Sequence, residues 1–266
     1  MPYRSGRWVY GVTTVYQRFE SLLPRTLASL KQAGWDTPHL FVDGAGLSSI
    51  KHRYSELVQR YEATYPYLPL TVRYPAVKCH AHWHLSFLQL FETDPTADYY
   101  ALFQDDFVCY RNTREYITRN PCPEKGYMSL FTNTATNEPI IAGKPYGTWH
   151  EGGLTNRPES NPNLWQAGRG AVALVFNRDA AYTLLSSPKM VEHATDTNRG
   201  WRKVDGAIVN AMNQAGYREY VHCPSLAQHT GHPPETSTTR SLPIPLAATF
   251  LGESVDALEF LKPRES

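Results

Sequence analysis

The protein has 266 residues, 41% of them hydrophobic, which is enough to bury the core of one large α/β domain spanning residues 1–266. Its 26 Lys and Arg residues nearly balance its 25 Asp and Glu residues, and a formal net charge of +1 excludes a strong overall attraction for a polyanion, so any nucleic-acid contact must come from a local patch. Strand-sized apolar runs, a start without the apolar middle of a signal peptide, and four cysteines outside any CxxC pair predict a soluble, cytoplasmic protein without a membrane segment or a disulfide framework.

Four strand-like segments alternate with helical segments along the first half of the chain. Each is short and rich in β-branched and aromatic residues, and leucines at helical spacing follow the first of them. The segments are RWVYGVTT (7–14), HLFVDG (39–44), LTVRYP (70–75) and DYYALFQ (98–104). This alternation predicts βαβ units and a parallel sheet covered by helices on both faces, in which ligands bind at the carboxyl ends of the strands.

Polar residues gather where these strands end. Thr13, Thr14, Asp43, Asp105 and Asp106 each close or follow a predicted strand, so they should lie on one rim of the sheet. Adjacent carboxylates repel and raise each other's pKa, whereas a bound Mg²⁺ or Mn²⁺ reverses that cost. An isolated Asp-Asp pair is more often an ordinary solvated turn, but the position of this pair after the fourth strand favours a cation site.

Two common phosphate-binding motifs do not occur in the sequence. No GxGxxG follows the first strand, and no GxxxxGK[ST] occurs anywhere. Their absence argues against a dinucleotide fingerprint and against a P-loop. A diphosphate would therefore have to be held by a metal ion instead.

The second half of the chain supplies further polar candidates. Residues 132–168 are dense in Asn, Pro, Gly and Trp, and so long an irregular stretch is usually functional or disordered. Its tryptophans could stack on a ligand or fill the core. A helix begins at Asp205, which could take part in chemistry or simply cap the helix. His229 lies in a turn rich in Gly, Ser and Thr, where few apolar neighbours account for it.

The order and spacing of these motifs resemble the GT-A glycosyltransferases, the nucleotide-diphospho-sugar transferases, over residues 7–235. The similar parts are GVTTV, the DXD-type motif Gln104-Asp105-Asp106, GRGAVALVF, Val204-Asp205-Gly206 and the late histidine of PSLAQHTGH. Segments such as ADYYALFQDDF look particularly like compact bacterial and phage members, some of which glycosylate 5-hydroxymethylcytosine in DNA. The resemblance implies a Rossmann-like, doubly wound, mostly parallel sheet with a nucleotide-sugar half at 1–110, an acceptor-side half at 111–240 and a tail at 241–266.

The resemblance also implies roles for individual residues. Asp205 would be the catalytic base, and Asp106, with Asp105 and His229, would bind Mn²⁺ or Mg²⁺. The implied donor-binding residues are Thr13, Thr14, Asp43, Lys78, His82 and Gln104. The implied acceptor-binding residues are Trp149, Trp165, Arg169, Gly170, Trp201 and Arg202.

Two positions depart from the pattern of the family. Gln104 is neutral where the family often has an acid, although the ligand position Asp106 is kept. Gly206 stands where many members have a second acid, next to Asp205. The roles of Gln104 and Asp205 therefore rest on their place in the motifs.

The implied activity is metal-dependent transfer of a sugar from a nucleotide diphosphate, a UDP-sugar first, to an acceptor hydroxyl. The leading acceptor is 5-hydroxymethylcytosine in DNA, in the cytoplasm of a bacterium or a phage-infected host. A base opposite the leaving diphosphate would invert the anomeric centre. The alternatives are a glycan, protein or small-molecule acceptor, and a non-catalytic module that binds nucleotide sugars or carbohydrates. A third is metal-dependent phosphoester hydrolysis by Asp105, Asp106 and the histidines. His80 and His84 share one helix face, either as a metal pair or, as the pattern favours, as a helix flank packed under the nucleotide.

Overall fold

A computed structural model of the chain describes residues 6–44, 51–133, 137–152, 171–195, 204–231 and 246–262. Within these residues the chain forms ten β-strands and eight α-helices. The strands are β1 (Trp8–Val15), β2 (His39–Asp43), β3 (Leu70–Arg73), β4 (Tyr99–Gln104), β5 (Phe107–Cys109), β6 (Gly126–Ser129), β7 (Thr148–Glu151), β8 (Ala173–Asn177), β9 (Arg218–Cys223) and β10 (Ala227–His229). The helices are α1 (Leu23–Ala33), α2 (Lys51–Thr64), α3 (Lys78–Thr93), α4 (Thr113–Arg119), α5 (Glu138–Ile141), α6 (Arg178–Leu185), α7 (Pro188–Thr195) and α8 (Val204–Gln214).

Eight of these strands form one sheet in the order β3-β2-β1-β4-β8-β6-β9-β7. β3, β2, β1 and β4 are parallel, as the alternation of strands and helices predicts, and β6 is parallel to β9. β8 runs antiparallel to both β4 and β6, and β7 runs antiparallel to β9. The prediction of an α/β fold around a large, mostly parallel sheet is therefore confirmed.

The central strand β4 shows why helices cover both faces of the sheet. Ala101 and Phe103 belong to the core that includes residues of α1 and α4, whereas Tyr100 and Leu102 belong to the core that includes residues of α3, α6 and α8. A strand buried on both faces needs a continuous apolar run, which YYALF supplies. The polar residues after Phe103 mark the point where the chain leaves this core.

Part of the stretch 132–168 has regular structure. It contains α5 and β7, and β7 becomes an edge strand of the sheet by pairing with β9. Residues 134–136 and 153–170 lie outside the described residues. The sequence prediction of an irregular region therefore misses a short helix and a strand, both of them only four residues long.

The C-terminal segment 246–262 packs against the same core as α1 and α4. Phe250 stacks on Tyr110 with ring centroids 4.7 Å apart, and the side-chain amide of Asn112 donates to the carboxylate of Asp256 at 2.9 Å. This part of the predicted tail is therefore held by the rest of the fold. Among the described helices, none has both the length and the apolar character that crossing a membrane requires.

Gly11 in β1 leaves room for the ring of Phe41 in β2. A Cβ on Gly11 would lie 2.5 Å from a carbon of that ring and 2.9 Å from the carbonyl oxygen of His39. Because both distances are shorter than van der Waals contact, we expect Gly11→Ala to lower the free energy of unfolding by about 1–3 kcal/mol. Urea unfolding followed by circular dichroism measures the loss, and the same change should cost less in a Phe41→Leu background. A Gly11→Ala protein as stable as the wild type would contradict this packing.

Candidate active site

The adjacent aspartates occupy the turn between β4 and β5, at the carboxyl end of the parallel strands. The hydroxyl of Thr26, from α1, lies 2.9 Å from the carbonyl oxygens of both Asp105 and Phe107, and it ties the turn to that helix. Only 1% of Asp105 and 2% of Asp106 is exposed. The pair therefore stands at the end of the sheet, but its charges are almost completely withdrawn from water.

Arg18, which the sequence patterns do not single out, neutralises this pair. Its Nη1 lies 2.6 Å from Oδ1 of Asp105 and 3.0 Å from Oδ2 of Asp106, and the hydroxyl of Thr14 donates to Oδ2 of Asp105 at 2.5 Å. Burial lowers the pKa of Arg18, but the two carboxylates outweigh burial and raise this pKa above its ordinary value. Burial also raises the pKa of Asp105, against the opposing effect of Arg18. A nearly buried cation thus holds the two carboxylates together.

His229 reaches the same pair from the C-terminal part of the chain. β10 pairs with β5 so that His229 lies opposite Phe107, and its Nε2 is 3.5 Å from Oδ2 of Asp106. The backbone N–H of Gly231 donates to Nδ1 at 3.1 Å. In a neutral ring this contact puts the proton on Nε2, which faces the carboxylate. The structure therefore places His229 beside Asp106, whereas the Asp105 carboxylate is engaged by Arg18 and Thr14.

Asp106 and His229 are the residues that would hold a divalent cation, because a carboxylate oxygen and an imidazole nitrogen are both common cation ligands and these two atoms lie 3.5 Å apart. Binding of a cation at Nε2 would require the ring proton to lie on Nδ1, which the hydrogen bond from the Gly231 N–H disfavours. No group of three or more acidic, histidine or cysteine side chains in the described part of the chain could hold a metal. Two protein ligands suit Mg²⁺, which usually completes its coordination with substrate phosphates and water.

The residues predicted to bind the donor lie along the same end of the sheet. Thr13 is paired with Gln104 in the register of β1 and β4, and Asp43 closes the neighbouring strand β2. The Asp43 carboxylate accepts hydrogen bonds from the backbone N–H groups of Val77, at 3.1 Å, and Lys78, at 3.0 Å. Asp43 therefore positions the start of α3. Contact of these residues with a donor stays a prediction.

His82 packs inside the protein. Only 5% of it is exposed, its Nε2 lies 3.1 Å from the carbonyl oxygen of Phe41, and its Nδ1 lies 3.3 Å from Nη1 of Arg73. Burial, assisted by the charge of Arg73, lowers the pKa of His82 to about 3. These are the contacts of a neutral residue that joins α3 to β2. His80 and His84 are buried in α3 as well, which disfavours them as an accessible metal pair.

Asp205 lies half-buried in the first turn of α8. Cys79 lies in the first turn of α3, and the residue as a whole is exposed although the surrounding protein desolvates its thiol. Burial, followed by the charges of Asp205, Asp43 and Asp106, raises the pKa of its thiol to about 11. The candidate base and the candidate metal ligand thus both lie within electrostatic range of the start of α3.

Glu219 is a buried carboxyl that the sequence patterns also miss. It is 5% exposed, its Oε2 accepts a hydrogen bond from the Tyr127 hydroxyl at 3.2 Å, and its Oε1 accepts one from the Asn137 amide at 3.4 Å. Among the residues that the structure describes, no lysine or arginine pairs with it. Burial, with a smaller contribution from Asp205, raises the pKa of Glu219 to about 7. A carboxyl in this setting keeps its proton close to neutral pH.

The stability of the protein should therefore depend on the ionisation of Glu219. Its ordinary pKa of 4.5 applies to the unfolded chain, and about 7 applies to the fold. Wild type should lose about 3 kcal/mol of unfolding free energy through this residue as the pH rises from about 4.5 to above 7. Glu219→Gln removes the charge, so its free energy of unfolding should equal that of wild type near pH 4 and exceed that of wild type at pH 8. Urea unfolding at both pH values measures this, with the exposed Glu124→Gln as the control. A stability difference that is constant with pH would contradict the raised pKa.

Trp149 is an acceptor-side candidate that the structure describes. Its indole N–H donates to the carbonyl oxygen of Asn120 at 2.8 Å, and its ring packs edge-on against His222 with centroids 4.9 Å apart. These contacts join β7 to the end of α4, so they support a packing role. Outside the described residues lie the other acceptor candidates, Trp165, Arg169, Gly170, Trp201 and Arg202. A role for all six in acceptor binding stays a prediction.

Comparison with known proteins gives evidence about the fold. No protein-family model matches the sequence, and no curated protein matches it. The solved structure of GalNAc-T7 with UDP, GalNAc and Mn²⁺ is 11% identical, with a TM-score of 0.53 over 85% of this chain and 44% of that chain. The mannosyltransferase PcManGT from Pyrobaculum calidifontis, in complex with GDP-Man and Mn²⁺, is 14% identical, with a TM-score of 0.49 over 82% of this chain and 55% of that chain.

The chain spans about half the length of these two proteins. At an identity of 11%, the likeness to GalNAc-T7 shows a shared fold, an α/β fold around a large, mostly parallel sheet. It does not extend to ligands or residues. What the site can do must therefore be argued from the side chains that it contains.

Proposed function

We propose that the protein is a metal-dependent glycosyltransferase that moves a sugar from a nucleotide diphosphate to an acceptor hydroxyl. The observation that carries this proposal is the placement of Asp106 and His229, 3.5 Å apart, beside Asp105 at the carboxyl end of the parallel strands. In open α/β sheets this is the edge where ligands bind. GalNAc-T7, which shares the fold, is bound to UDP and Mn²⁺, so a UDP-sugar and Mn²⁺ are the first ligands to test.

On the donor side, Asp106 and His229 would hold the cation. When bound, a divalent cation neutralises the negative charge that develops on a leaving diphosphate. Asp105 already accepts hydrogen bonds from Arg18 and Thr14 on its two oxygens. We therefore assign Asp105 mainly to fixing the turn that presents Asp106.

On the acceptor side, Asp205 would act as the general base. The acceptor oxygen attacks the anomeric carbon, its proton passes to the Asp205 carboxylate, and the diphosphate leaves with the electrons of the broken bond. The charges of Asp205 and Asp106 both raise the pKa of the Cys79 thiol at the start of α3, which supports their placement at the same end of the sheet. If Asp205 faces the sugar opposite the diphosphate, the transfer inverts the anomeric centre.

For the acceptor, we propose the hydroxyl of 5-hydroxymethylcytosine in DNA. The support is the resemblance to phage enzymes and the tryptophans and basic residues of the acceptor-side half, which suit a flipped base and its phosphates. A hydroxyl on a glycan, a protein or a small molecule is the second candidate, because tryptophan rings also stack on sugars.

Product analysis tests the proposal. The protein is incubated with Mn²⁺, pooled UDP- and GDP-sugars and a 5-hydroxymethylcytosine duplex, while nucleosides are analysed by mass spectrometry and free nucleoside diphosphate is measured. A sugar-shifted nucleoside that disappears with Asp106→Asn would support the whole proposal. Diphosphate release without modified DNA would redirect the search to other acceptors. Absence of both would favour a non-catalytic binding module.

A further inference from the structure

The Asp105–Asp106 turn carries a cation of its own. Arg18 follows β1 in a short 3-10 helix, Tyr16–Arg18, so it lies at the same end of the sheet as the aspartates. Its Nη1 contacts both carboxylates, at 2.6 Å and 3.0 Å. Within the described part of the chain, this one nitrogen makes all the hydrogen bonds of the side chain.

The other two guanidinium nitrogens make no hydrogen bond to the described residues. Nε is buried and lacks a partner. Nη2 is not among the buried atoms, which agrees with the 13% exposure of the side chain. Polar groups this close to a protein interior normally have hydrogen-bond partners. Nη2 of Arg18 is a charged donor that an acceptor arriving from solvent could provide with one.

The surrounding charges explain what kind of acceptor would need this donor. Three carboxylates, those of Asp205, Asp43 and Asp106, act on the thiol of Cys79 at the start of α3, and Arg18 opposes them. A diphosphate that enters such an environment is repelled unless a cation faces it. A guanidinium meets this need, because its N–H groups form charge-assisted hydrogen bonds with phosphate oxygens.

We infer that Arg18 is a metal-independent anchor for the diphosphate of the donor, with Nη1 on the two aspartates and Nη2 on a phosphate oxygen. This inference rests on the proposed function, and it assigns separate roles to two cations. Arg18 binds the diphosphate, while the cation at Asp106 and His229 takes up charge during transfer. A nucleoside diphosphate should therefore bind without a divalent cation, and Mn²⁺ should tighten that binding.

Calorimetric titration with UDP and with GDP, each in EDTA and in Mn²⁺, tests this division. Arg18→Met combined with Asp105→Asn removes the guanidinium together with its closest carboxylate, and it should weaken binding by about 10–100-fold in both buffers. Asp106→Asn should lose the gain in affinity that Mn²⁺ gives to wild type. Arg18→Lys should recover part of the affinity. Arg25→Met, which removes an arginine that is 59% exposed on α1, should change neither affinity.

The outcomes separate the inference from the proposed function. If wild type binds a nucleotide in Mn²⁺ but not in EDTA, or if the double variant binds as wild type does in EDTA, the Arg18 anchor is overturned and the transferase stands. If neither nucleotide binds in either buffer, both are overturned. Circular dichroism of each variant establishes that it is folded. If the double variant does not fold, Arg18→Lys is used instead, because it keeps a cation beside the aspartates. An affinity of Arg18→Lys equal to that of wild type would overturn a role for the planar guanidinium.

Discussion

Arg18→Met should lower the free energy of unfolding by about 3–5 kcal/mol, because removing one partner of a buried ion pair leaves its charge without compensation. Here the change would leave two carboxylates, those of Asp105 and Asp106, which are 1% and 2% exposed. It would also remove contacts of 2.6 Å and 3.0 Å that bind the 3-10 helix after β1 to the turn after β4. The loss should greatly exceed that from an exposed ion pair, which is typically 0–1 kcal/mol.

Urea unfolding at neutral pH, followed by tryptophan fluorescence and circular dichroism, measures this loss. Asp105→Asn in the Arg18→Met background should restore part of the stability, since it removes the closest unpaired charge. Arg25→Met serves as the matched control, because it breaks the exposed pair with Glu253 at 2.6 Å. Equal effects of Arg18→Met and Arg25→Met would show that the turn does not depend on a buried cation.

Asp205→Asn should reduce turnover by about 10²–10⁴-fold, the range typical of losing a general base. Asparagine keeps the shape of the side chain, so the first turn of α8, in which residue 205 lies, should remain folded. The affinity for the donor should not change, because Asp205 is assigned to the acceptor proton. Initial rates of nucleoside diphosphate release at saturating donor, together with calorimetric donor affinity, measure the two effects separately.

Asp179→Asn is the control for this substitution. Asp179 also lies in the first turn of a helix, α6, but its side chain is 83% exposed and belongs to no part of the candidate site. The control should turn over at the wild-type rate. If Asp205→Asn turned over at the same rate as Asp179→Asn, Asp205 would serve only the first turn of α8, and the base would have to be sought elsewhere.

The first half of the fold is predictable from sequence because each of its parallel strands is a separate apolar run bounded by polar residues. The run YYALF, for example, identifies β4 and its burial on both faces. The position of β8 is not predictable in this way. Its apolar run identifies a strand, but its antiparallel place beside β4 depends on pairings such as Leu102 with Leu174, between residues far apart in the chain.

Some residues of the candidate site are likewise predictable from sequence, and others are not. Asp105 and Asp106 are predictable because polar residues that follow an apolar strand lie at the ligand-binding edge of a parallel sheet. Arg18 is not predictable, since a basic residue in a turn is usually solvated and no local pattern reveals the aspartates beside it. Glu219 did leave a signal. It alternates in phase with the buried residues Val221 and Cys223 of β9, so its carboxyl had to point inward.

The pairing of β10 with β5 ties the site to the connectivity of the whole chain. Three residue pairs form this ladder, and they hold His229 next to the turn that carries Asp106. The loop that this contact closes contains β6 to β9, and long loops are costly to close before other contacts stabilise them. We therefore expect the two candidate cation ligands, Asp106 and His229, to come together late in folding, and neither half of the polypeptide contains both. The candidate site is therefore complete only when the whole domain has folded.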